Sequence, residues 1–306
     1  MAQCIEPRSR SEQRVSMKFQ ELKISAVLTW HMFRFAVFSS LVLSGTAAAH
    51  EHGELPDPTQ LERELGPPTK LTVYEPHLAA GDTQVAIEYE GFPTVRVIES
   101  LFGPEWPVQG SVVRFSALDG YQSVIPVSRL SQIPSLLVFA RADGSAFTVD
   151  NPLQNEMAVP LGPYYLVWDN ILFPELLQEG ARNWPYQVNR LELDHGADAV
   201  LLPEQLSGSE REGAEAFVAH CLSCHELGGT GGKKFPVDWN RALQSTPGSD
   251  FVQWLLNPSR LRPGSAMPPL AATEPEAQRE RKARLIYEYL VRISQWLPPQ
   301  NGRDAD

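Results

Sequence analysis

Two cysteines separated by two residues and followed directly by a histidine are the residues of this chain best suited to chemistry. They lie in the segment Cys221-Leu-Ser-Cys224-His225. At this spacing two thiols can bond to the two vinyl groups of one porphyrin, while the next residue places an imidazole under its iron. The segment therefore predicts one haem c, attached covalently through Cys221 and Cys224 and ligated by His225.

Other interpretations of this segment fit the rest of the sequence less well. A thioredoxin-like redox pair would follow a strand of a βαβ unit, whereas a helical pattern precedes Cys221. A structural zinc site needs four ligands, and the chain has no second cysteine pair. A chance occurrence is disfavoured because Cys4 is the only cysteine outside the segment.

A haem that transfers electrons normally has a second protein ligand, and a thioether there raises the reduction potential. Beyond residue 49 the only methionines are Met157 and Met267. Met267 lies in Gly264-Ser-Ala-Met-Pro-Pro269, where the prolines stiffen a loop between two helical patterns. A lone loop methionine is often packing filler, but beside this cysteine–histidine segment we predict Met267 as the second axial ligand.

The first fifty residues have the pattern of an export signal. From Met32 a basic residue, Arg34, precedes an apolar run that ends in Ala47-Ala48-Ala49. This pattern predicts a secretory signal peptide cleaved before His50, whereas a membrane anchor would need a longer apolar run. Because no Arg-Arg pair precedes the run, we expect general secretion to the periplasm and no membrane span in the mature chain.

The charge balance excludes one class of partner. The chain holds 26 Lys and Arg against 37 Asp and Glu, so we expect no nucleic-acid binding. Its 306 residues suffice for two domains with separate cores. The predicted parts are an extension with signal peptide at 1–49, an extended arm at 50–70, a strand-rich domain at 71–193, a linker at 194–208, a helical domain at 209–297 and a tail at 298–306.

Local patterns give the fold class of each half. Between residues 71 and 193, β-branched and aromatic runs alternate with turn residues. Thr94-Val-Arg-Val-Ile98 is one strand candidate, and a short helix near Val97–Leu101 is the alternative. Later, Ser209-Glu-Arg-Glu212 and Thr273-Glu-Pro-Glu276 are capping boxes that open helices. We therefore predict a two-domain fold with an α+β, mainly β N-terminal domain and an all-α C-terminal domain.

The order of features in residues 209–297 resembles class I cytochromes c: helix, C-x-x-C-H, loop, short helix, Met-Pro loop and long last helix. The resemblance implies axial ligation by His225 and Met267, and a proline carbonyl, best matched at Pro236, that accepts a hydrogen bond from the imidazole. It also implies that the last helix crosses the first one closely at Gly213. The candidate crossing partners are Tyr287, Tyr289 and Leu290.

The strand-rich half resembles the molybdopterin-binding domain of the sulfite oxidase family. The resemblance rests on Val113-Arg-Phe-Ser-Ala-Leu-Asp-Gly-Tyr-Gln-Ser-Val-Ile-Pro126, on Leu161-Gly-Pro-Tyr-Tyr-Leu-Val-Trp168 and on the run from Trp184 to Leu193. In that family a cysteine thiolate binds molybdenum, but no cysteine lies between His50 and His220. We therefore expect this half to lack molybdopterin.

These features predict a periplasmic electron-transfer protein with one covalent haem of His/Met ligation, whose N-terminal domain docks redox partner proteins. A six-coordinate iron offers no position for substrate, so we do not expect catalysis by the protein alone. The alternatives are a molybdopterin-dependent oxidoreductase or its cytochrome subunit, and a haem-based sensor. An aromatic and polar cluster in the N-terminal half is either a site or a packed core: Tyr164, Tyr165, Trp168, Asp169, Asn170, Asn183, Trp184 and Tyr186.

Overall fold

The computed structural model describes residues 51–78, 83–194, 201–203 and 205–296, and these belong to one compact unit. The predicted signal peptide and its cleavage site lie outside the described residues, as do the tail at 298–306 and part of the linker at 194–208. No helix in the described part of the chain is long and apolar enough to cross a membrane.

Antiparallel strands form the larger part of the structure before residue 195. The described strands are β1 (Glu51–Glu54), β2 (Thr69–Tyr74), β3 (Ala86–Pro93), β4 (Val112–Ala117), β5 (Gln122–Pro126), β6 (Ser135–Arg141), β7 (Thr148–Asn151), β8 (Glu156–Pro160), β9 (Tyr165–Trp168) and β10 (Val188–Asp194). They pair as one sheet of order β1-β10-β4-β5, a second of order β2-β3-β6-β9, and a ribbon of β7 with β8.

Helices lie both between the strands and after them. The described α-helices are α1 (Pro58–Leu65), α2 (Thr94–Phe102), α3 (Val127–Gln132), α4 (Gly208–His220), α5 (Trp239–Ser245), α6 (Gly248–Leu256), α7 (Pro258–Leu261) and α8 (Glu276–Ile293). The segment expected as an extended arm, residues 50–70, contains β1 and α1. Helix α1 begins there because the Asp57 carboxylate accepts a hydrogen bond from the Gln60 amide, 2.9 Å away.

Three local expectations are corrected by the structure. The strand candidate Thr94–Ile98 is helix α2, in which Thr94, Val97 and Ile98 are buried at helical spacing. The capping box of α4 is Ser207 with Glu210, two residues before the predicted one, because both pairs fit the same pattern. Helix α8 begins after Pro275, and no side chain caps it.

The predicted fold class, two domains of which the C-terminal one is all-α, is wrong. The described chain is a mixed α/β structure built on antiparallel sheets, and its C-terminal region is not all-α. Between α4 and α5 there is no helix, and Leu227 and Thr230 form an antiparallel β-bridge. A helix cannot pass through this stretch, because Gly228, Gly229 and Gly231 have positive φ values of 60°, 82° and 105°.

Helices α4 and α8 cross in close contact at Gly213. A β-carbon at Gly213 would lie 2.2 Å from the Leu285 carbonyl oxygen and 2.9 Å from the Tyr289 β-carbon. Any larger residue would force the two helices apart. The predicted close crossing at Gly213, with Tyr289 as a partner, is therefore confirmed.

The turn between β4 and β5 holds the cysteine–histidine segment against the sheets. The backbone amide of Gln122 donates to the Ser223 carbonyl at 2.9 Å, and the amide of Lys233 donates to the Gly120 carbonyl at 2.8 Å. A β-carbon at Gly120, in the turn, would lie 3.0 Å from the Lys233 carbonyl carbon, and one at Gly232 would lie 3.1 Å from the Gly120 carbonyl oxygen. This close backbone contact fixes the segment relative to the sheet of β4 and β5.

Candidate functional site

A cavity of about 600 Å³ opens on one side of the cysteine–histidine segment. Its wall contains Cys221, His225 and Met267, which come from two distant parts of the sequence. The remaining wall is largely apolar and aromatic, and helices α4, α5, α6 and α8 supply most of it. These lining residues include Phe217, Val237, Trp239, Phe251, Trp254, Leu255, Ile286 and Leu290.

His225 is held by a single backbone acceptor. Its Nδ1 lies 2.7 Å from the carbonyl oxygen of Phe235, so Nδ1 donates and Nε2 is the nitrogen left for a metal. The carbonyl expected in this role was that of Pro236, one residue later. Burial lowers the pKa of His225, and the Phe235 carbonyl offsets only part of that effect. The neutral imidazole, which is the form that ligates metals, is therefore favoured.

Met267 is positioned by a residue that sequence reasoning missed. The indole nitrogen of Trp254 donates to the Met267 sulfur at 3.2 Å, and the Met267 amide donates to the Ser265 hydroxyl at 3.2 Å. Met157, the other candidate, is 72% exposed and does not line the cavity.

The two cysteines are unpaired and face different spaces. Cys221 is buried and lines the large cavity, whereas Cys224 is half-buried and lines a smaller one. Burial raises the pKa of the Cys221 thiol to about 12 and that of Cys224 to about 11. The His225 amide donates to the Cys221 carbonyl at 3.0 Å, so the segment forms a tight turn after α4.

The donor set in this cavity fits a c-type haem. The Cys221 thiol, an imidazole with one nitrogen fixed by a carbonyl and a half-buried thioether line its largely apolar wall, while the Cys224 thiol faces the neighbouring smaller cavity. Such a set suits a porphyrin iron better than a bare cation. Within the described ranges, no group of three or more His, Cys, Asp or Glu is placed to hold a metal ion.

The largely buried side chain of Lys234, nine residues after His225, forms ion pairs with residues of the strand-rich half. The Lys234 ammonium lies 2.9 Å from the Asp119 carboxylate and 3.3 Å from the Glu156 carboxylate, and its side chain is only 9% exposed. Burial opposes the charge of Lys234, but the neighbouring anionic groups outweigh it and hold its pKa above the usual value. We call Lys234, Asp119 and Glu156 the lysine cluster.

The aromatic cluster predicted in the N-terminal half is mainly a packed core. The Tyr164 hydroxyl donates to the Pro56 carbonyl at 2.6 Å, and the Trp168 indole donates to the Asn183 carbonyl at 2.7 Å. These polar tips are satisfied, as a core requires. Trp184 and Tyr186 differ from the rest, because they also line the smaller cavity beside Cys224.

The described N-terminal half does not fit a thiolate-bound molybdenum cofactor. All three cysteines of the chain, at positions 4, 221 and 224, lie outside residues 71–193. Arg114, in the segment that carries the resemblance to the sulfite oxidase family, is engaged by Glu192 at 3.4 Å and Asp194 at 3.3 Å. The expectation that this half lacks molybdopterin stays a prediction.

Comparisons with known proteins assign no family to the chain. No protein-family model matches it, and no curated protein matches it. The resemblances to class I cytochromes c and to the sulfite oxidase family therefore stay predictions, and the functional proposal depends on the geometry of the site.

Proposed function

We propose that this protein is a periplasmic electron-transfer protein carrying one covalent haem c. The thiols of Cys221 and Cys224 would attach the porphyrin, and His225 and Met267 would ligate its iron. The observation that carries the proposal is the 600 Å³ apolar cavity in whose wall Cys221, His225 and Met267 meet. When bound, the haem supplies one-electron exchange between Fe(III) and Fe(II).

Residues of the chain itself hold the two side chains that would ligate the iron. The Phe235 carbonyl fixes the ring of His225 with Nε2 free, and Trp254 and Ser265 hold the Met267 side chain and backbone. If both His225 and Met267 bind the iron, no ligand position would be left for a substrate, which favours a carrier over an enzyme. The apolar wall excludes water, which favours a raised reduction potential.

The strand-rich half would dock redox partner proteins. At the end of its turn between β4 and β5, the Gln122 amide donates a hydrogen bond to the carbonyl of Ser223, which lies between the two cysteines. A donor or acceptor bound to this half would therefore lie near the haem attachment point. The acidic composition of the chain favours partners with basic contact surfaces.

The optical spectrum of ligand variants tests the proposed iron ligation. The oxidised exported protein should show the weak far-red charge-transfer band of an iron–thioether bond. Met267→Ala should abolish this band and lower the reduction potential, whereas the matched variant Met157→Ala should leave both unchanged because Met157 is exposed. Loss of the band in Met157→Ala instead would refute the assignment of Met267.

A further inference from the structure

A cavity of about 480 Å³ lies between the sheet of β4 and β5, helix α3 and the end of helix α4. None of Cys221, Cys224, His225 and Met267 lines it, so the proposed haem site makes no use of this space. Its volume falls within the usual range of small-molecule sites in proteins, about 300–1,000 Å³. We call it the α3 cavity.

One part of the wall of the α3 cavity is apolar. Val124 alternates along β5 with the core residue Ile125, so its side chain lies on the outward face of the sheet. Side chains from α3, from α4 and from the turn after α4 complete this surface. The apolar residues that line it include Val112, Val124, Ile133, Val218 and Leu222. This surface suits the apolar body of an organic ligand, which an inorganic ion does not have.

The other part of the wall carries positive charge. Arg129 and Arg182 line the α3 cavity, and none of the described residues around it is Asp or Glu. Both Nη atoms of Arg129 donate to the Glu179 carboxylate at 3.0 Å, so these two charges cancel. Arg182 has one ion pair within the described ranges, a long contact of 3.8 Å with the same carboxylate, and its guanidinium makes no hydrogen bond there. One of the two cations therefore lacks an anion of its own.

Glu179 is held by Arg129 and is not free to serve Arg182. Two parallel hydrogen bonds to a carboxylate are the strong arrangement of an arginine pair. The Arg129 guanidinium also lies over the Trp168 ring, 4.9 Å from its centroid, and its side chain is only 19% exposed. Because Arg129 is fixed in this way, the positive charge of Arg182 stays available at the wall of the cavity.

The charged groups on the adjoining sheet face balance one another. Arg114 pairs with Glu192 at 3.4 Å and with Asp194 at 3.3 Å. Glu192 also pairs with Arg190 at 3.1 Å, so two cations face two anions. The excess of one positive charge at Arg182 is therefore not cancelled from this side.

We propose that the α3 cavity binds an amphipathic monocarboxylate, such as a medium-chain fatty acid. The ligand carboxylate pairs with the Arg182 guanidinium, and the alkyl chain packs against Val124, Val218 and Leu222. One carboxylate matches the one uncompensated cation. Since a cavity of about 150 Å³ accommodates benzene, 480 Å³ leaves room for a longer apolar chain. The site contains none of the proposed haem-binding residues, so binding does not depend on the haem assignment.

Calorimetric titration of the purified exported protein with octanoate, 1-octanol, acetate and sulfate tests this proposal. Octanoate should bind at submillimolar concentration, and 1-octanol about tenfold more weakly, because it has no charge to pair with Arg182. Acetate should bind at least about a hundredfold more weakly than octanoate, because it lacks the alkyl chain. Equal affinities for octanoate and 1-octanol, sulfate binding as tight as that of octanoate, or no octanoate binding at millimolar concentration would each overturn the proposal.

Two variants locate the carboxylate. Arg182→Gln should weaken octanoate binding about tenfold and leave 1-octanol binding unchanged, a difference that general misfolding would not produce. Gln132→Glu, at an exposed position of the cavity wall, should also weaken only octanoate, because it adds a repelling carboxylate. Arg284→Gln is the control, since Arg284 is 59% exposed and does not line the cavity.

The comparison of the two ligands decides the outcome. Octanoate affinity that is unchanged in both Arg182→Gln and Gln132→Glu would show that the carboxylate binds elsewhere. An equal loss of octanoate and 1-octanol binding in Arg182→Gln would show that the arginine only shapes the cavity. Either result would overturn the proposal.

Discussion

The indole nitrogen of Trp254 donates a hydrogen bond to the sulfur of Met267 across 3.2 Å. Both residues line the cavity that also holds His225, so the indole restrains the proposed sulfur ligand on the side of the iron site. A donor aimed at a thioether withdraws electron density from the sulfur. Trp254 is therefore expected to influence the redox properties of the site without touching the iron.

Replacing Trp254 by Phe should lower the reduction potential. Without the indole donor, Met267 becomes a stronger electron donor and stabilises Fe(III). A hydrogen bond worth about 1 kcal/mol corresponds to roughly 40 mV for a one-electron couple. Potentiometric titration measures the shift, and Trp296→Phe is the control because Trp296 lies outside the cavity. An unchanged potential in Trp254→Phe, or an equal drop in both variants, would contradict this role.

Lys234→Met should destabilise the protein far more than Lys233→Met. The first change leaves the Asp119 and Glu156 carboxylates without their buried cation, which typically costs about 3–5 kcal/mol. Lys233 is 72% exposed and pairs with Glu226 at the surface, where a pair contributes about 0–1 kcal/mol. Urea denaturation of both variants gives the comparison. Similar losses of unfolding free energy in the two variants would mean that the lysine cluster does not stabilise the contact between Lys234 and the strand-rich half.

Glu75 should make the protein acid-sensitive. Its pKa in the folded state lies below the ordinary value of 4.5, so the stability it contributes is present above pH 4.5 and is lost as the pH falls through the folded pKa. The groups that face it are His77, Tyr89 and Tyr165. Glu75→Gln should lower the unfolding free energy at pH 7 by roughly 1–3 kcal/mol.

The difference between wild type and Glu75→Gln isolates the contribution of this carboxyl from that of other acids. Urea denaturation at pH 7, 5, 4 and 3 should show the two proteins converging as the acid form of Glu75 becomes populated. Tyr89 and Tyr165, which donate hydrogen bonds to Glu75, do not titrate in this range, since burial raises the pKa of both above the ordinary value of 10. A constant difference at every pH would contradict the depressed pKa.

The sequence was sufficient to single out three residues in the wall of the large cavity, Cys221, His225 and Met267. The spacing of Cys221, Cys224 and His225 is a local pattern. Met267 stands out because the chain has few methionines and because prolines stiffen the loop that contains it. The crossing at Gly213 was also predictable, because a small residue on a helix face leaves room for a second helix. The haem itself stays a prediction.

Other features were beyond sequence reasoning for physical reasons. Thr94–Ile98 is rich in β-branched residues, and its helical burial pattern emerges only when the sheet covers one side. The prediction of an all-α C-terminal domain was wrong in part because the positive φ values of the glycines after His225 build a bridged loop instead of a helix. The lysine cluster joins positions that are distant in sequence, so it leaves no local motif. Glu75 and His77 are close in sequence, but nothing in the local pattern indicates that both are buried and hydrogen-bonded to each other.

Covalent attachment of haem is the central claim, and intact-mass analysis of the exported protein after acid-acetone extraction tests it most directly. The account predicts that the mass of the mature chain exceeds that of its polypeptide by one haem, and that Cys221→Ala and Cys224→Ala each lose stable holoprotein. A chain whose mass equals that of the polypeptide alone, with all haem in the extract or none present, would contradict the claim.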